Sequence, residues 1–291
     1  MPDLILHHYP SSPFSEKIRL VLGYKKLAWK SVMIPAIMPK PDALALTGGY
    51  RKTPFIQVGA DIYCDSALIC DVLEHVQPEP ALYPPHLKGV SRVFAQWADT
   101  SLFWAAMAYT LQPKGAAQVF AKAPPDAAKA FAEDRKAMSG NVLRLRPADA
   151  TSAYRSYLRR IAHMAEEHDF LFGIDPCVAD FAAYHPLWFT RAQVPVMADI
   201  LNATPAVAEW MDRLAAALPT RVEAMASEVE ARQLAQDVAL AVQAALLRQT
   251  APEAVFGAFC DSRMGGDWGH AFGTLGAGTD FDQIIARALP R

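Results

Sequence analysis

The sequence SPFSEKIR occupies residues 12–19 and begins a segment with helical spacing, in which apolar residues stand at positions 14, 18, 21 and 22. Before it, the apolar run at residues 4–6 predicts a short buried strand. Pro13 suits the first turn of a helix, because the N–H groups of that turn have no intrahelical partner. Ser12 then takes the N-cap position. The sequence therefore predicts a strand that leads directly into the amino terminus of a helix.

A hydroxyl at a helix amino terminus can form a site for a negatively charged atom. Unpaired N–H groups, the positive end of the helix dipole and one O–H donor converge there. In a redox protein of this layout, position 12 would carry the first cysteine of a C-x-x-C pair, but both Ser12 and Ser15 are serines here. Such a site holds a thiolate without supplying one. The alternative is that Ser12 only caps the helix.

Composition limits the class of protein. A chain of 291 residues suits two domains with a large buried core. Its 28 basic and 30 acidic residues give a net charge of −2, which argues against nucleic acid as a partner. The four cysteines (Cys64, Cys70, Cys177 and Cys260) show no metal-ligand spacing, so we expect reduced thiols and no metal. No basic signal region or apolar run of eighteen residues is present, so we expect a cytoplasmic protein without membrane contact.

The remaining elements of the first 80 residues follow in a recognisable order. A second strand is predicted over residues 27–34 and a short helix over residues 42–46, which Gly48 and Gly49 end. Pro54 precedes a strand, a reversal at residues 59–61 leads to a return strand at residues 62–64, and a helix follows over residues 67–76. The predicted order is βαβ and then αββα, with a mixed four-stranded sheet.

Four short motifs lie in register with this order, and together they resemble the thioredoxin-like amino-terminal domain of cytosolic glutathione transferases. They are Ser12-Pro13-Phe14-Ser15, Lys40-Pro41-Asp42, Lys52-Thr53-Pro54 and Asp65-Ser66. The first is similar to the Cys-Pro-Phe segment of omega-class enzymes, and its first serine falls where zeta-class enzymes have their active serine. The resemblance covers residues 1–83 closely and residues 86–224 more loosely, as an all-α helical carboxy-terminal domain. Residues 225–291 form a further helical and glycine-rich extension outside it.

The resemblance implies that glutathione is a co-substrate held along one edge of the sheet, within a homodimer. Ser12 would donate a hydrogen bond to the glutathione sulfur, with Ser11 as the second choice and Phe14 beside them. Thr53, before a cis Pro54, would pair its main chain with the cysteinyl unit. Asp65 and Ser66 would bind the γ-glutamyl group. Lys40 and Lys52 are candidates for the glycyl carboxylate, and Lys40 is preferred because its spacing from the proline matches an omega-class lysine.

The second substrate would be a small apolar electrophile, bound by the first helix of the carboxy-terminal domain. The sequence predicts one long helix over residues 88–111, and the resemblance would place Trp97, Ser101, Trp104 and Ala105 over the thiol. Core packing of the two tryptophans is the alternative. His8 is a candidate base, with a structural role as the alternative.

A folding motif is expected in the second domain. Residues 170–180 read FLFGIDPCVAD, in which Asp180 can accept a hydrogen bond from the N–H of a helix cap three residues earlier. The residue at that cap is Cys177, where the resemblance implies serine or threonine. A thiol caps poorly, so we expect a weaker capping box that serves folding.

Two functional hypotheses follow. In the first, the protein is a glutathione transferase or isomerase that uses Ser12 to stabilise the thiolate. In the second, it is a non-catalytic binding or scaffold protein on the same fold. An oxidoreductase that forms a mixed disulfide would need a cysteine at position 12 and is disfavoured.

Overall fold

The computed structural model describes residues 4–139, 145–217, 222–226, 240 and 242–263. Its amino-terminal part contains four strands and three helices in the predicted order. They are β1 (Leu4–His8), α1 (Pro13–Tyr24), β2 (Trp29–Met33), α2 (Pro41–Thr47), β3 (Phe55–Val58), β4 (Asp61–Cys64) and α3 (Ser66–Val76). This arrangement confirms the thioredoxin-like fold.

The sheet contains the four predicted strands and one more. Strand β1 pairs in parallel with β2 and antiparallel with β3, and β3 pairs antiparallel with β4, so the mixed four-stranded sheet is confirmed. Strand β5 (Val222–Ala226) then adds to β2 in parallel and makes the strand order β4-β3-β1-β2-β5. The sequence did not predict β5, which spans residue 224, the expected end of the helical domain.

The carboxy-terminal part is mostly helical. The predicted long helix is present as α4 (Lys88–Trp97), a π-helical turn (Ala98–Leu102) and α5 (Phe103–Thr110). It is followed by α6 (Pro113–Val119), α7 (Ala127–Met138), α8 (Pro147–Glu167), α9 (Val178–Trp188), α10 (Asp199–Asn202) and α11 (Pro205–Ala217). After β5 come α12 (residues 242–250) and α13 (Glu253–Arg263). Much of the extension predicted over residues 225–291 lies outside the described residues. None of the described helices has both the length and the apolar character needed to cross a membrane.

One hydrophobic core joins the two parts. Helix α1 packs on α3 within the amino-terminal part and on α9 of the helical part. At this contact Tyr24 lies beside Phe181, with ring centroids 5.4 Å apart, and Ile18 is fully buried. The placement of α1, which carries the SPFS motif, therefore depends on both domains.

The predicted capping box is present at the start of α9. The carboxylate of Asp180 accepts hydrogen bonds from the N–H of Cys177 (2.9 Å), the N–H of Leu171 (2.8 Å) and the indole N–H of Trp210 (3.0 Å). Asp180 has no exposed surface. Burial raises the pKa of the Cys177 thiol to about 12, so this cysteine is not a reactive thiolate. The box is therefore present, and its weaker strength and its contribution to folding stay predictions.

Candidate functional site

Ser12 is the N-cap of α1, as predicted. Its Oγ accepts a hydrogen bond from the N–H of Ser15 at 3.2 Å, and its own N–H donates to the carbonyl of Tyr9. This capping hydrogen bond uses one lone pair of the Ser12 Oγ. Among the described residues, the Ser12 hydroxyl donates no hydrogen bond. Ser12 is only 2% exposed, whereas Ser11 beside it is exposed. The capping role of Ser12 is therefore confirmed, and its role towards a ligand stays a prediction.

Three of the four motifs meet at one end of the sheet. The register pairs His7 with Phe55, and Phe55 with Cys64. The carboxyl end of β1, the start of β3 and the end of β4 therefore lie side by side. Asp65 directly follows β4, Thr53 lies two residues before β3 and Ser12 four residues after β1, so the topology brings these three motifs to one end of the sheet.

The Thr53-Pro54 peptide bond is cis, as predicted. Thr53 lies just before β3 and outside the paired residues of the ladder. Lys40 donates from Nζ to Oγ1 of Thr53 (3.0 Å) and to the carbonyl of Arg51 (3.4 Å), and only 3% of Lys40 is exposed. Lys52 is exposed. Of the two candidate lysines, Lys40 is therefore the one that contacts Thr53.

Asp65 is the N-cap of α3 and accepts a hydrogen bond from the N–H of Ala67 at 2.8 Å. Its φ of +79° is in the left-handed region, which is uncommon for a residue other than glycine and costs free energy. A strained backbone persists only where the surrounding structure holds it in place, and such residues cluster at binding and active sites. Asp65 is exposed and Ser66 is half-buried, so both can be reached by a ligand.

Helix α7 closes one side of this edge, which the sequence did not predict. Arg135 donates to the hydroxyl of Tyr9 (3.2 Å) and to the carbonyl of Ala36 (2.9 Å). Asp134 accepts the N–H of Met38 at 3.1 Å and pairs with Arg51. These partners lie 83–126 residues apart in the chain, so no local pattern could have shown them.

An aromatic cluster lies beside the SPFS motif. The ring of Phe14 is 4.7 Å from that of Phe103, and Phe103 is 5.1 Å from Trp104. All three side chains are half-buried and form an apolar wall. Of the predicted lining residues, Trp104 belongs to this wall, and Phe103 was missed.

The other predicted lining residues lie elsewhere. Trp97 packs against Phe94 and Tyr157, with ring centroids 5.1 Å apart in each case, which is the core-packing alternative. Ala105 has no exposed surface, and Ser101 is exposed. Trp97 and Ala105 as pocket residues were therefore wrong.

His8 has the structural role that was the alternative to a catalytic base. Its Nε2 is 2.7 Å from the hydroxyl of Ser31, and its Nδ1 is 3.0 Å from a guanidinium nitrogen of Arg19. Burial, aided by the charge of Arg19, lowers the pKa of His8 to about 4. The ring is therefore neutral near pH 7 and a weak base.

No group of metal-ligating side chains occurs within the part of the chain that the structure describes. The four cysteines form no disulfide, and two of them, Cys70 and Cys177, are buried. The candidate site therefore consists of hydroxyls, main-chain groups, charged side chains and an aromatic wall.

Comparisons with known proteins agree with this geometry. The fold and site define a protein with a thioredoxin-like domain and a helical domain, and residues 6–81 match the family described as "Glutathione S-transferase, N-terminal domain". A solved structure of a GST-like protein from Pseudomonas syringae is 37% identical, with a TM-score of 0.65, over 81% of this chain and 73% of that chain. The chain belongs to the glutathione S-transferase superfamily.

More distant relatives share the fold. A glutathione S-transferase from Methylobacillus flagellatus, solved with glutathione bound, is 20% identical over 75% of this chain and 100% of that one, with a TM-score of 0.53. The FtsZ-localized protein A of Caulobacter vibrioides is 24% identical over 183 residues, which cover 61% of this chain and 73% of that protein.

Proposed function

We propose that this protein is a glutathione transferase or glutathione-dependent isomerase of the serine type, similar to omega- and zeta-class enzymes, in which Ser12 stabilises the glutathione thiolate. The observation that carries the proposal is the convergence of Ser12, Thr53 and Asp65 at one end of the sheet. Each of these three residues offers a polar group that can bind one part of glutathione. Family membership and the fold support glutathione binding.

The tripeptide would lie along this edge with its three units on three motifs. The main chain of Thr53 lies outside the strand ladder and would pair with the cysteinyl unit as an added strand does. Asp65 would bind the γ-glutamyl ammonium, and Ser66 with the amino terminus of α3 would bind its carboxylate. Lys40 would bind the glycyl carboxylate, since its ammonium already lies at Thr53. The exposed Lys52 is the second candidate.

The chemistry needs only a modest stabilisation of the anion. A free thiol has a pKa of roughly 8.5, and lowering it by about two units takes roughly 2.7 kcal/mol. One hydrogen bond from Ser12 together with the dipole of α1 is of this order. Ser12 remains un-ionised and acts as a donor, while the sulfur of glutathione is the nucleophile. Ser11, which is exposed, is the second choice for this role.

The second substrate would be a small apolar electrophile. Phe14, Phe103 and Trp104 form a half-buried apolar wall next to Ser12, which suits an aromatic or aliphatic group better than a charged one. The thiols without disulfides agree with a reducing compartment, so we place the protein in the cytoplasm. The net charge of −2 argues against a nucleic-acid partner, and the proposal includes no membrane partner.

A non-catalytic binding or scaffold role is the second candidate. Two observations favour it. Only 2% of Ser12 is exposed, which leaves little room for a thiol to reach its hydroxyl, and one relative is a protein named for its localisation to FtsZ. Glutathione binding without turnover would select this candidate.

Titration calorimetry with glutathione, followed by turnover of 1-chloro-2,4-dinitrobenzene, tests the proposal. We expect Asp65→Asn to weaken glutathione binding at least tenfold, because the ammonium loses its charged partner, while asparagine still caps α3. Asp61→Asn, in the same hairpin and also exposed, is the matched control and should bind as the wild type does. A wild-type protein that does not bind glutathione would refute the proposal.

The proposal includes a homodimer, in line with the family resemblance. Leu68 on α3 and Val90 and Val93 on α4 are apolar and 47%, 49% and 70% exposed. The two helices adjoin there, because Arg92 pairs with Asp71 at 2.6 Å. A second copy would cover this face. Val93→Asp should lower the dimer fraction at least tenfold in sedimentation at micromolar concentration, whereas Val242→Asp, also exposed but on α12, should not.

A further inference from the structure

Three charged or polar side chains from three elements form a buried network at the domain contact. Lys17 of α1 lies 2.6 Å from one carboxylate oxygen of Asp99, in the π-helical turn. The other carboxylate oxygen is 2.9 Å from Nε2 of His185 on α9. The side chains of Lys17 and His185 are 1% and 0% exposed and that of Asp99 is 16% exposed, so solvent can reach the network only at the carboxylate.

The charges in this network are well defined. Burial opposes ionisation of Asp99, but the ammonium of Lys17 and the hydrogen bond from His185 hold the pKa of Asp99 below its ordinary value. Burial lowers the pKa of His185, so its ring is neutral and donates from Nε2. Cys70 and Asp65 are the other titratable groups near Lys17. The network is therefore an ion pair with a neutral histidine bound to it.

Stability alone does not account for these residues. A buried ion pair contributes little compared with apolar side chains of the same volume, because desolvation offsets the attraction. In addition, Nδ1 of His185 is buried without a hydrogen-bond partner among the described residues, which costs free energy. The network of Lys17, Asp99 and His185 is better explained by the fixed positions that it gives to neighbouring side chains.

That geometry concerns the aromatic wall. The ring centroid of His185 lies 4.5 Å from that of Phe14 and 5.8 Å from that of Phe103, so the histidine packs beside both rings of the wall. Lys17 is on the same helix as Phe14, and Asp99 is four residues before Phe103 on the same helical segment. The π-helical turn at Asp99 inserts one residue into that segment and changes which face it presents to α1.

We propose that Lys17, Asp99 and His185 are positioning residues that fix the separation of Phe14 from Phe103 and thereby set the affinity for the aromatic group of the second substrate. This inference rests on the proposed function, since it assigns the network to the electrophile side of the same site. Glutathione itself would bind at the sheet edge and would not depend on the network.

Two ligands separate these contributions. Calorimetry gives the Kd for glutathione and for S-(4-nitrobenzyl)glutathione, and we take the ratio of the first to the second. The thioether also lacks the thiol, but this contribution is the same in every variant that keeps Ser12, so a change in the ratio between such variants reports the aromatic group. His185→Phe keeps an aromatic ring but loses the N–H donor to Asp99. We expect this variant to lower the ratio at least fivefold, while its Kd for glutathione stays within twofold of the wild-type value. His185→Gln keeps a donor and should retain at least half of the wild-type ratio. His163→Phe, at a histidine that is 80% exposed, is the control and should change neither value.

The outcomes distinguish the two proposals. If the wild-type protein does not bind glutathione, the proposed function fails and this inference falls with it. If it binds glutathione and His185→Phe keeps the wild-type ratio, the positioning role is wrong. Should His185→Phe not fold, the double variant Lys17→Met with Asp99→Asn removes both buried charges together, and the same fivefold loss is expected of it; an unchanged ratio there overturns the inference.

Discussion

Helices α1 and α9 both begin at a buried N-cap, Ser12 in one domain and Cys177 in the other, but the two caps have different surroundings. At α9, Asp180 accepts three hydrogen bonds and has no exposed surface, so every group of that cap is enclosed. At α1, the hydroxyl of Ser12 accepts one N–H, and an exposed serine and a half-buried phenylalanine stand on either side of it. The cap of α9 has its carboxylate fully used within the fold, whereas the cap of α1 keeps one hydroxyl hydrogen without an acceptor among the described residues, and the proposed function assigns that hydrogen to a ligand.

The largest effect is expected at the closed cap. Asp180→Ala should lower the free energy of unfolding by about 3–5 kcal/mol, because three buried N–H groups lose their acceptor. Urea unfolding followed by circular dichroism measures this change. Asp175→Ala, at an exposed aspartate in the preceding loop, is the control and should stay within about 0.5 kcal/mol of the wild type. If Asp180→Ala lowers the free energy of unfolding by less than about 1 kcal/mol, the cap of α9 contributes no more to stability than the cap of α1 does.

The next effect is expected at the cap beside the cleft. Ser12→Ala should lower kcat/KM for 1-chloro-2,4-dinitrobenzene about 100-fold, equivalent to about 2.7 kcal/mol, because the thiolate loses its donor. The free energy of unfolding should fall by only about 1 kcal/mol, the usual value for an N-cap. Ser11→Ala is the matched control, and we expect it to keep most of the activity. If Ser11→Ala has the larger effect on turnover, the donor is Ser11.

A smaller effect concerns the strand that leads to Ser12. Burial lowers the pKa of both His7 and His8 to about 4, against 6.5 for an unfolded chain. Between pH 4 and pH 6.5 the unfolded state binds more protons than the folded state. The protein is therefore most stable above pH 6.5, and its free energy of unfolding decreases as the pH falls towards 4. Each histidine contributes about 1.4 kcal/mol per pH unit in this window.

The variant His8→Gln tests this pH dependence. Its unfolding free energy, measured in urea at pH 6.5 and pH 5, should decrease less steeply than that of the wild type by about 1 kcal/mol per pH unit, since the unfolded histidine is only half protonated at pH 6.5. His163→Gln, on the exposed face of α8, should follow the wild type. Equal slopes for His8→Gln and the wild type would mean that His8 is not held neutral, and the strand before Ser12 would then be less enclosed than its burial indicates.

The parts of this protein that follow local rules could be predicted from its sequence. Proline and serine at residues 12–13 place a helix start, and the proline at position 54 places the start of β3. The box at Cys177 and Asp180 follows from a spacing of three residues. The candidate site at the sheet edge came from four short motifs in the right order, whose roles were implied by their resemblance to the glutathione transferase amino-terminal domain.

The contacts between distant segments could not be predicted. Lys17 has the sequence context of a surface residue on an amphipathic helix, and only the tertiary structure places Asp99 and His185 next to it. The same holds for Arg135 at Tyr9. Trp97 and Trp104 stand seven residues apart on one helical segment, but Trp97 packs against Tyr157 and Trp104 against Phe103, because the π-helical turn between them changes the helix face.

Strand β5 makes the amino-terminal domain dependent on a distant part of the chain. The sheet begins at residue 4, yet its last strand ends at residue 226, after the whole helical region. During synthesis, the outer edge of β2 therefore leaves the ribosome about 190 residues before its partner strand does, and at a few residues per second this interval lasts on the order of ten seconds or more. For that time its main-chain N–H and C=O groups are unpaired and can join strands of other nascent chains. A fragment that stops before residue 222 would keep this edge unpaired permanently, so a minimal glutathione-binding version of the protein should include β5.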